Sequence, residues 1–187
     1  FRTPHGTLAS IICYDLAFPE LIRAYAVKGA EVVLMSTAWP MRGHDRASDY
    51  HGFAMDLAAQ SNAFFNQFWL VVSNHCEKGA YSQGVDYYGG SQIVDPTGKV
   101  VAYLADEEGL VTHTADLEAE ILASRTEAFF GLNLLMDRRP ELYGDLVDES
   151  HRYPHEALSR GRIAPQKGPA EPALDRRPRL AKPARPA

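Results

Sequence analysis

Cysteine is scarce in this sequence. Only Cys13 and Cys76 occur among 187 residues, too few for the disulfide framework that stabilises many small secreted proteins. The N-terminal stretch also lacks the charged and then apolar pattern of a secretory signal. These absences argue against a disulfide-rich secreted domain and predict a reducing, cytoplasmic setting.

Long apolar runs are missing as well. No stretch approaches the ~20 residues that a helix needs to cross a bilayer, so we expect no membrane role. An initiator Met is also absent, and residues 1–6, FRTPHG, read as a turn leading into a strand. That opening is typical of an internal segment of a protein, and we expect the sequence to be a piece of a longer or split polypeptide.

Positive charge is sparse in most of the chain. Residues 1–150 hold ten Lys and Arg against 21 Asp and Glu, a net charge of −11, whereas residues 151–187 hold nine against three, a net charge of +6. An acidic body does not favour nucleic-acid binding, which needs clustered positive charge. Residues 151–187 also contain seven of the twelve prolines, so we predict one folded domain at 1–150 and a basic, disordered tail at 151–187.

Apolar runs and helical patterns alternate in the first half of the chain. The second half instead contains a hairpin signal, in which two apolar runs flank the turn residues 95–98, DPTG. The pattern predicts strands at 7–13, 31–35, 68–73, 91–94, 99–103 and 109–115, and helices at 18–28, 48–66 and 117–124. An α/β fold with a mixed sheet covered by helices is the expected result.

Cys13 is the residue with the most evident chemistry. It ends an apolar run just before a polar bend, where a strand fixes the Cβ, the bend exposes the sulfur, and nearby backbone N–H groups can face an oxyanion. The alternative is an ordinary core position, because free cysteine is among the most buried residue types.

The residues around Cys13 favour chemistry. Residues 12–23 read ICYDLAFPELIR, which resembles the nucleophile motif C-Y-D-x-x-F-P-E-x-x-R of the nitrilase superfamily of carbon–nitrogen hydrolases. Further segments resemble that family in the same order: KGAE at 28–31, WP at 39–40, NQ at 66–67, GSQIVDPTG at 90–98 and the closing motif DRRPELY at 137–143. The resemblance covers residues 1–147 and is to the amidase-like branch.

This resemblance implies the C-terminal part of an αββα sandwich and a Cys–Glu–Lys triad. In that family the cysteine forms a thioester with the substrate, the Glu is the general base, the Lys stabilises the oxyanion, and the backbone N–H after the cysteine is a second donor. Cys13 would be the nucleophile and Tyr14 the backbone donor. The Glu and the Lys precede the cysteine in the family, and residues 1–12 contain neither. We therefore expect the isolated chain to be inactive, and we expect no cofactor and no metal.

Other positions match the family's pocket and its supporting residues. Ala38 and Trp39 follow the second strand, where the family lines its acyl pocket, although Trp39 also fits ordinary loop packing. Asn74, at the end of the third strand, fits either the floor of the site or a turn. Structural support is expected from three residues of the motif, Asp15, Glu20 and Arg23, the last two being spaced i, i+3 for an ion pair.

Departures from the family pattern restrict the substrate. Many members that act on acids carry Arg at one of the two positions after C-Y-D, where this chain has Leu16 and Ala17. We therefore expect a small uncharged or aliphatic amide rather than an N-carbamoyl amino acid. Tyr14 and Asp15 stand where true nitrilases carry Trp-Glu, which favours amides, and a nitrile-hydrolysing enzyme is the alternative.

Different classes of function compete with this interpretation. A Cys–His protease would use His51, His75 or His113 as its base, but none lies in a sequence context that resembles such a site. His75 and Cys76 form a weak metal motif, because adjacent residues rarely ligate one ion. A non-catalytic fragment or subunit that completes its site with another polypeptide is a further alternative.

Assembly is expected to follow the family. Its two helices after the nucleophile pack against their symmetry mates, so the resemblance implies a homo-oligomer through helices 18–28 and 48–66. The apolar side chains expected at that surface are Tyr25, Phe53, Leu57 and Phe64. The only other expected partner is the small-molecule amide.

Overall fold

The computed structural model describes residues 1–42, 45–79 and 84–148. The chain divides into two units, residues 1–138 and 139–187. The tail predicted at 151–187 lies outside the described residues.

A six-stranded mixed sheet organises the first unit, with the strands in the order in which they occur along the chain. Strands β2, β3 and β4 are parallel to one another, while β1 and the pair β5–β6 run antiparallel to their neighbours. The strands are β1 Arg2–Thr3, β2 Gly6–Ile12, β3 Val32–Thr37, β4 Trp69–Asn74, β5 Ser91–Val94 and β6 Val100–Leu104. The predicted α/β class, with a mixed sheet and helices, is confirmed.

Three α-helices accompany the sheet: α1 Pro19–Val27, α2 Tyr50–Asn66 and α3 Leu117–Thr126. Pro19 occupies the first turn of α1, where its missing N–H removes no helical hydrogen bond. Asp49 caps α2 by accepting the Gly52 N–H at 2.9 Å. No α-helix in the described ranges is long and apolar enough to cross a membrane.

The main core lies between one face of the sheet and helices α1 and α2. Alternate residues of the parallel strands are buried there, and they meet buried helix residues. The set includes Ile11, Val33, Met35, Leu70, Val72, Ile22, Met55 and Ala59. On the opposite face, Ile121 of α3 packs with Val32 and Trp69 at the start of the strands. Further along that face Ile12 is 69% and Leu34 40% exposed.

The predicted strand at 109–115 is wrong. Residues 109–116 form no strand or helix, and Leu110 is 86% exposed. A short apolar stretch becomes a strand only where a neighbouring strand accepts its backbone hydrogen bonds, and β6 pairs with β5 alone among the described strands. The other helices and strands form within about two residues of their predicted bounds, an ordinary difference at element ends.

The described part of the second unit, 139–148, consists of two single 3-10 turns, Pro140–Leu142 and Gly144–Leu146. The backbone N–H of Arg139 donates to the Tyr143 hydroxyl at 3.3 Å. The Arg139 guanidinium pairs with Glu141, and this hydrogen bond lowers the pKa of the Glu141 carboxyl.

Candidate active site

Cys13 leaves strand β2 in an unusual backbone conformation. Its φ is +49°, in the left-handed region that residues other than glycine rarely adopt. The sequence pattern predicts Cys13 as the last residue of the strand, whereas in the structure it is the first residue of the 3-10 helix Cys13–Ala17. Such a turn at the end of a strand presents its first side chain at the edge of the sheet.

Neighbouring groups stabilise this turn. The Ile12 N–H donates to Oδ2 of Asp15 at 2.9 Å and closes the bend around Cys13. The Leu16 side chain is 1% exposed, and its carbonyl accepts a hydrogen bond from Asn62 of α2 at 3.2 Å. The turn is thus attached to both the sheet and helix α2.

Cys13 is half-buried and lines a cavity of about 500 Å³. The carboxyl ends of β2, β3 and β4 surround this cavity, because parallel strands end at the same edge of a sheet. Its described lining residues are Ile12, Cys13, Ser36, Thr37, Ala38, Ser73, Asn74 and His75. That edge is the usual location of a ligand site in α/β folds.

Tyr14 lies at the start of the 3-10 helix. Its side chain is 67% exposed and meets the Phe18 ring edge to face, with 5.0 Å between the ring centroids. The first N–H groups of a helix have no acceptor within the helix, and the Tyr14 N–H is one of these.

The three predicted pocket residues have different positions. Ala38 and Asn74 line the cavity. The Trp39 side chain instead packs against the core, and its indole N–H donates to the His51 carbonyl at 2.8 Å. Asn74 joins two loops, since Oδ1 accepts the Trp39 N–H at 2.7 Å and Nδ2 donates to the Gly89 carbonyl at 2.7 Å.

Five lining residues were not among the predicted site residues, and two of them, Thr37 and His75, bear on the chemistry. Thr37 lies on the buried face of β3 at its carboxyl end, and its alternation with Val33 and Met35 is the signal that could have found it. His75 follows β4, and its Nδ1 lies 3.4 Å from a carboxylate oxygen of Glu77. Of the three histidines considered as bases, His75 is the one among the described lining residues of this cavity.

The three supporting residues of the motif have different surroundings. Asp15 closes the bend around Cys13, as described above. Glu20 is exposed in the first turn of α1. Arg23 lines a second cavity of about 360 Å³ with residues of α2 such as Asn62 and Phe65. The ion pair between Glu20 and Arg23 stays a prediction.

Residues that could hold a metal are not grouped in this site. Within 1–42, 45–79 and 84–148, no three His, Cys, Asp or Glu side chains are placed to share an ion. The chemistry that the arrangement supports is that of a strained, half-buried thiol facing a cavity with backbone and hydroxyl groups around it.

Comparison with known proteins decides the family. Residues 1–124 match the family described as Carbon-nitrogen hydrolase. The chain belongs to this family. A probable nitrilase of Schizosaccharomyces pombe is 34% identical to this carbon–nitrogen hydrolase chain over 149 residues, covering 79% of this chain and 49% of the relative.

Comparison with solved structures supports the same family. The carbon–nitrogen hydrolase from Helicobacter pylori G27 superposes with a TM-score of 0.68 and 26% identity, covering 79% of this chain and 51% of that one. A glutamate variant of the amidase from Nesterenkonia sp. AN1, with acrylamide added at its active-site cysteine, superposes with a TM-score of 0.57 and 29% identity, covering 79% and 48%. The chain thus spans about half the length of the proteins it matches.

Proposed function

We propose that the complete protein hydrolyses the carbon–nitrogen bond of a small uncharged or aliphatic amide, with Cys13 as the nucleophile. The observation that carries this proposal is the strained turn at Cys13, which opens into a cavity at the carboxyl ends of three parallel strands. The acrylamide adduct on the active-site cysteine of the Nesterenkonia amidase supports it.

The proposed reaction has two halves. After a base removes its proton, the Cys13 sulfur attacks the amide carbon, and the Tyr14 N–H donates to the oxyanion that forms. The carbonyl then re-forms, the carbon–nitrogen bond breaks, and the nitrogen leaves as ammonia after taking up the proton. Water attacks the thioester in the second half, releasing the carboxylic acid and restoring the thiol.

This reaction needs a base and a cation besides Cys13. The described lining of the cavity contains no carboxylate and no ammonium group. We therefore assign the general base Glu and the oxyanion-stabilising Lys to a preceding segment or to another polypeptide, so that this chain supplies the C-terminal part of the site. The isolated 187-residue chain is expected to release no ammonia from amides.

The surroundings of the bend support an uncharged substrate. Leu16 is buried and Ala17 lines the second cavity rather than the one with Cys13, so neither position brings a guanidinium to the nucleophile. A carboxylate of the substrate would have no bidentate partner from this bend.

Two alternatives have a specific observation in their favour. The Schizosaccharomyces pombe relative is described as a probable nitrilase, which favours nitrile hydrolysis at the same cysteine. The position of His75 beside the cavity, with Glu77 at 3.4 Å, favours a Cys–His pair instead of a Glu base. The tests below separate each from the main proposal.

The setting and the assembly belong to the same proposal. The described structure leaves both cysteines unpaired, which is consistent with a reducing, cytoplasmic compartment. Helices α1 and α2 carry exposed apolar side chains that include Phe53 at 57% and Leu57 at 54%, and we propose that they form a homo-oligomer interface.

Release of ammonia from butyramide by the complete protein tests the proposal. We expect Cys13→Ala to abolish turnover, while Cys76→Ala, the matched control at the other free cysteine, keeps it nearly unchanged. Butyronitrile should be turned over much more slowly than butyramide. Equal loss from both cysteine substitutions, or turnover that survives Cys13→Ala, would exclude Cys13 as the nucleophile.

A further inference from the structure

Among the residues that line the cavity, Thr37 alone has a buried side-chain oxygen with no hydrogen-bond partner in the described protein. The residue is only 7% exposed, and its Oγ1 makes no hydrogen bond to any described residue. A buried hydroxyl without a partner carries an uncompensated desolvation penalty. Buried polar groups are usually paired, so this exception calls for a reason.

The position of Thr37 ties it to Cys13. Strand β3 pairs Ser36 with Ile12, the residue before Cys13, and Thr37 with Asn74 of β4. Thr37 therefore lies in the row of the sheet that Cys13 would occupy if β2 continued. Both residues line the same cavity.

The other polar side chains of the cavity differ from Thr37. The side-chain amide of Asn74 already forms hydrogen bonds with the Trp39 and Gly89 backbone. Ser36, Ser73 and His75 are exposed and can bond to water. The backbone carbonyl of Thr37 is occupied by the His75 N–H at 3.3 Å, so only its hydroxyl is left for a ligand.

We infer that Oγ1 of Thr37 accepts a hydrogen bond from the NH₂ group of a primary amide bound at Cys13. This inference rests on the proposed function, in which the Tyr14 N–H donates to the carbonyl oxygen of the substrate. The NH₂ group of the amide then still needs an acceptor, and the described cavity offers the Thr37 hydroxyl. An ester or a nitrile has no N–H at that position, so Thr37 selects amides against both.

Thr37→Val tests this role, because valine has nearly the same shape and lacks the hydroxyl. One lost hydrogen bond between uncharged groups predicts a decrease of about three- to tenfold in kcat/KM for butyramide. Hydrolysis of p-nitrophenyl butyrate should be unchanged, so the amide-to-ester ratio should fall by the same factor. Thr37→Ser, which keeps the hydroxyl, should restore most of that ratio.

Stability measurements separate binding from folding. Since the hydroxyl has no described partner, Thr37→Val should melt at the same temperature as the parent protein or higher. If Thr37→Val does not fold, Thr37→Ala provides the same amide-to-ester ratio with the hydroxyl removed. An unchanged ratio in the folded variant, or a ratio that Thr37→Ser fails to restore, overturns the inference and leaves the proposed function intact. Absence of any Cys13-dependent turnover in the parent protein overturns the proposed function itself.

Discussion

The side-chain amide of Asn74 connects the loop after β3 to the loop after β4. Its Oδ1 accepts the Trp39 N–H at 2.7 Å, and its Nδ2 donates to the Gly89 carbonyl at 2.7 Å. Both loops border the Cys13 cavity, since Ala38 and His75 lie among its lining residues. Asn74 therefore supports the site by connecting the loops that border it, and most of its hydrogen-bonding groups are paired with the protein backbone.

Asn74→Ala is expected to destabilise the complete protein. It removes the two 2.7 Å hydrogen bonds to the Trp39 and Gly89 backbone, worth about 1 kcal/mol each, and a longer one at 3.4 Å to the Trp39 carbonyl. The free energy of unfolding should therefore fall by about 2 kcal/mol in urea denaturation. Ser73→Ala is the matched control, because it removes an exposed hydroxyl beside the same cavity and should change stability by less than about 0.5 kcal/mol. Equal effects of the two substitutions would contradict the bridging role.

Gly52→Ala is expected to be destabilising although alanine is the better helix former. A Cβ at position 52 would lie 1.9 Å from Cε2 of Tyr88, whose hydroxyl donates to Asp56 at 2.7 Å and holds the ring in place. Overpacking of this kind costs about 1–3 kcal/mol, more than the gain in helix propensity. Thermal unfolding measures the loss, and Ser61→Ala in the same helix is the control.

His75 is expected to be dispensable as a base. If an external Glu removes the Cys13 proton, His75→Gln should reduce kcat for butyramide by less than about fivefold and leave the pH dependence of kcat/KM unchanged. A general base contributes about 10²–10⁴-fold to the rate, so a loss of that size with a displaced pH profile would identify a Cys–His pair instead. Glu77→Gln removes the carboxylate that lies 3.4 Å from His75, and it should change kcat in the same direction as His75→Gln.

The exposed side of α2 is expected to be an interface between copies of the protein. Phe53 and Leu57 lie one helical turn apart and are more than half exposed, whereas Tyr25 and Phe64 are partly buried within the chain. Phe53→Glu with Leu57→Glu should shift the mass measured by light scattering at micromolar concentration to a smaller species. Leu122→Glu, at an equally exposed leucine of α3, should leave the mass unchanged. A parent protein that is already a monomer would contradict this prediction.

Local signals in the sequence determined much of the fold. Pro19 begins α1, and the Asp95–Gly98 turn joins β5 to β6, because capping and turn preferences depend on neighbours along the chain. The run of ordered motifs around and after Cys13 likewise identified the family, which the match over residues 1–124 confirms. These features need no knowledge of distant contacts.

Tertiary structure determined the features that depend on contacts between residues far apart in the sequence. The apolar stretch 109–115 has the composition of a strand and forms none, because a strand needs a partner edge. Asn74 is occupied only because folding places Trp39 and Gly89 around it, and His75 reaches the cavity only because β4 lies beside β3. Thr37 is a hydroxyl residue at the end of a largely apolar strand, and its lack of a described partner becomes visible only after every neighbouring donor and acceptor has been placed.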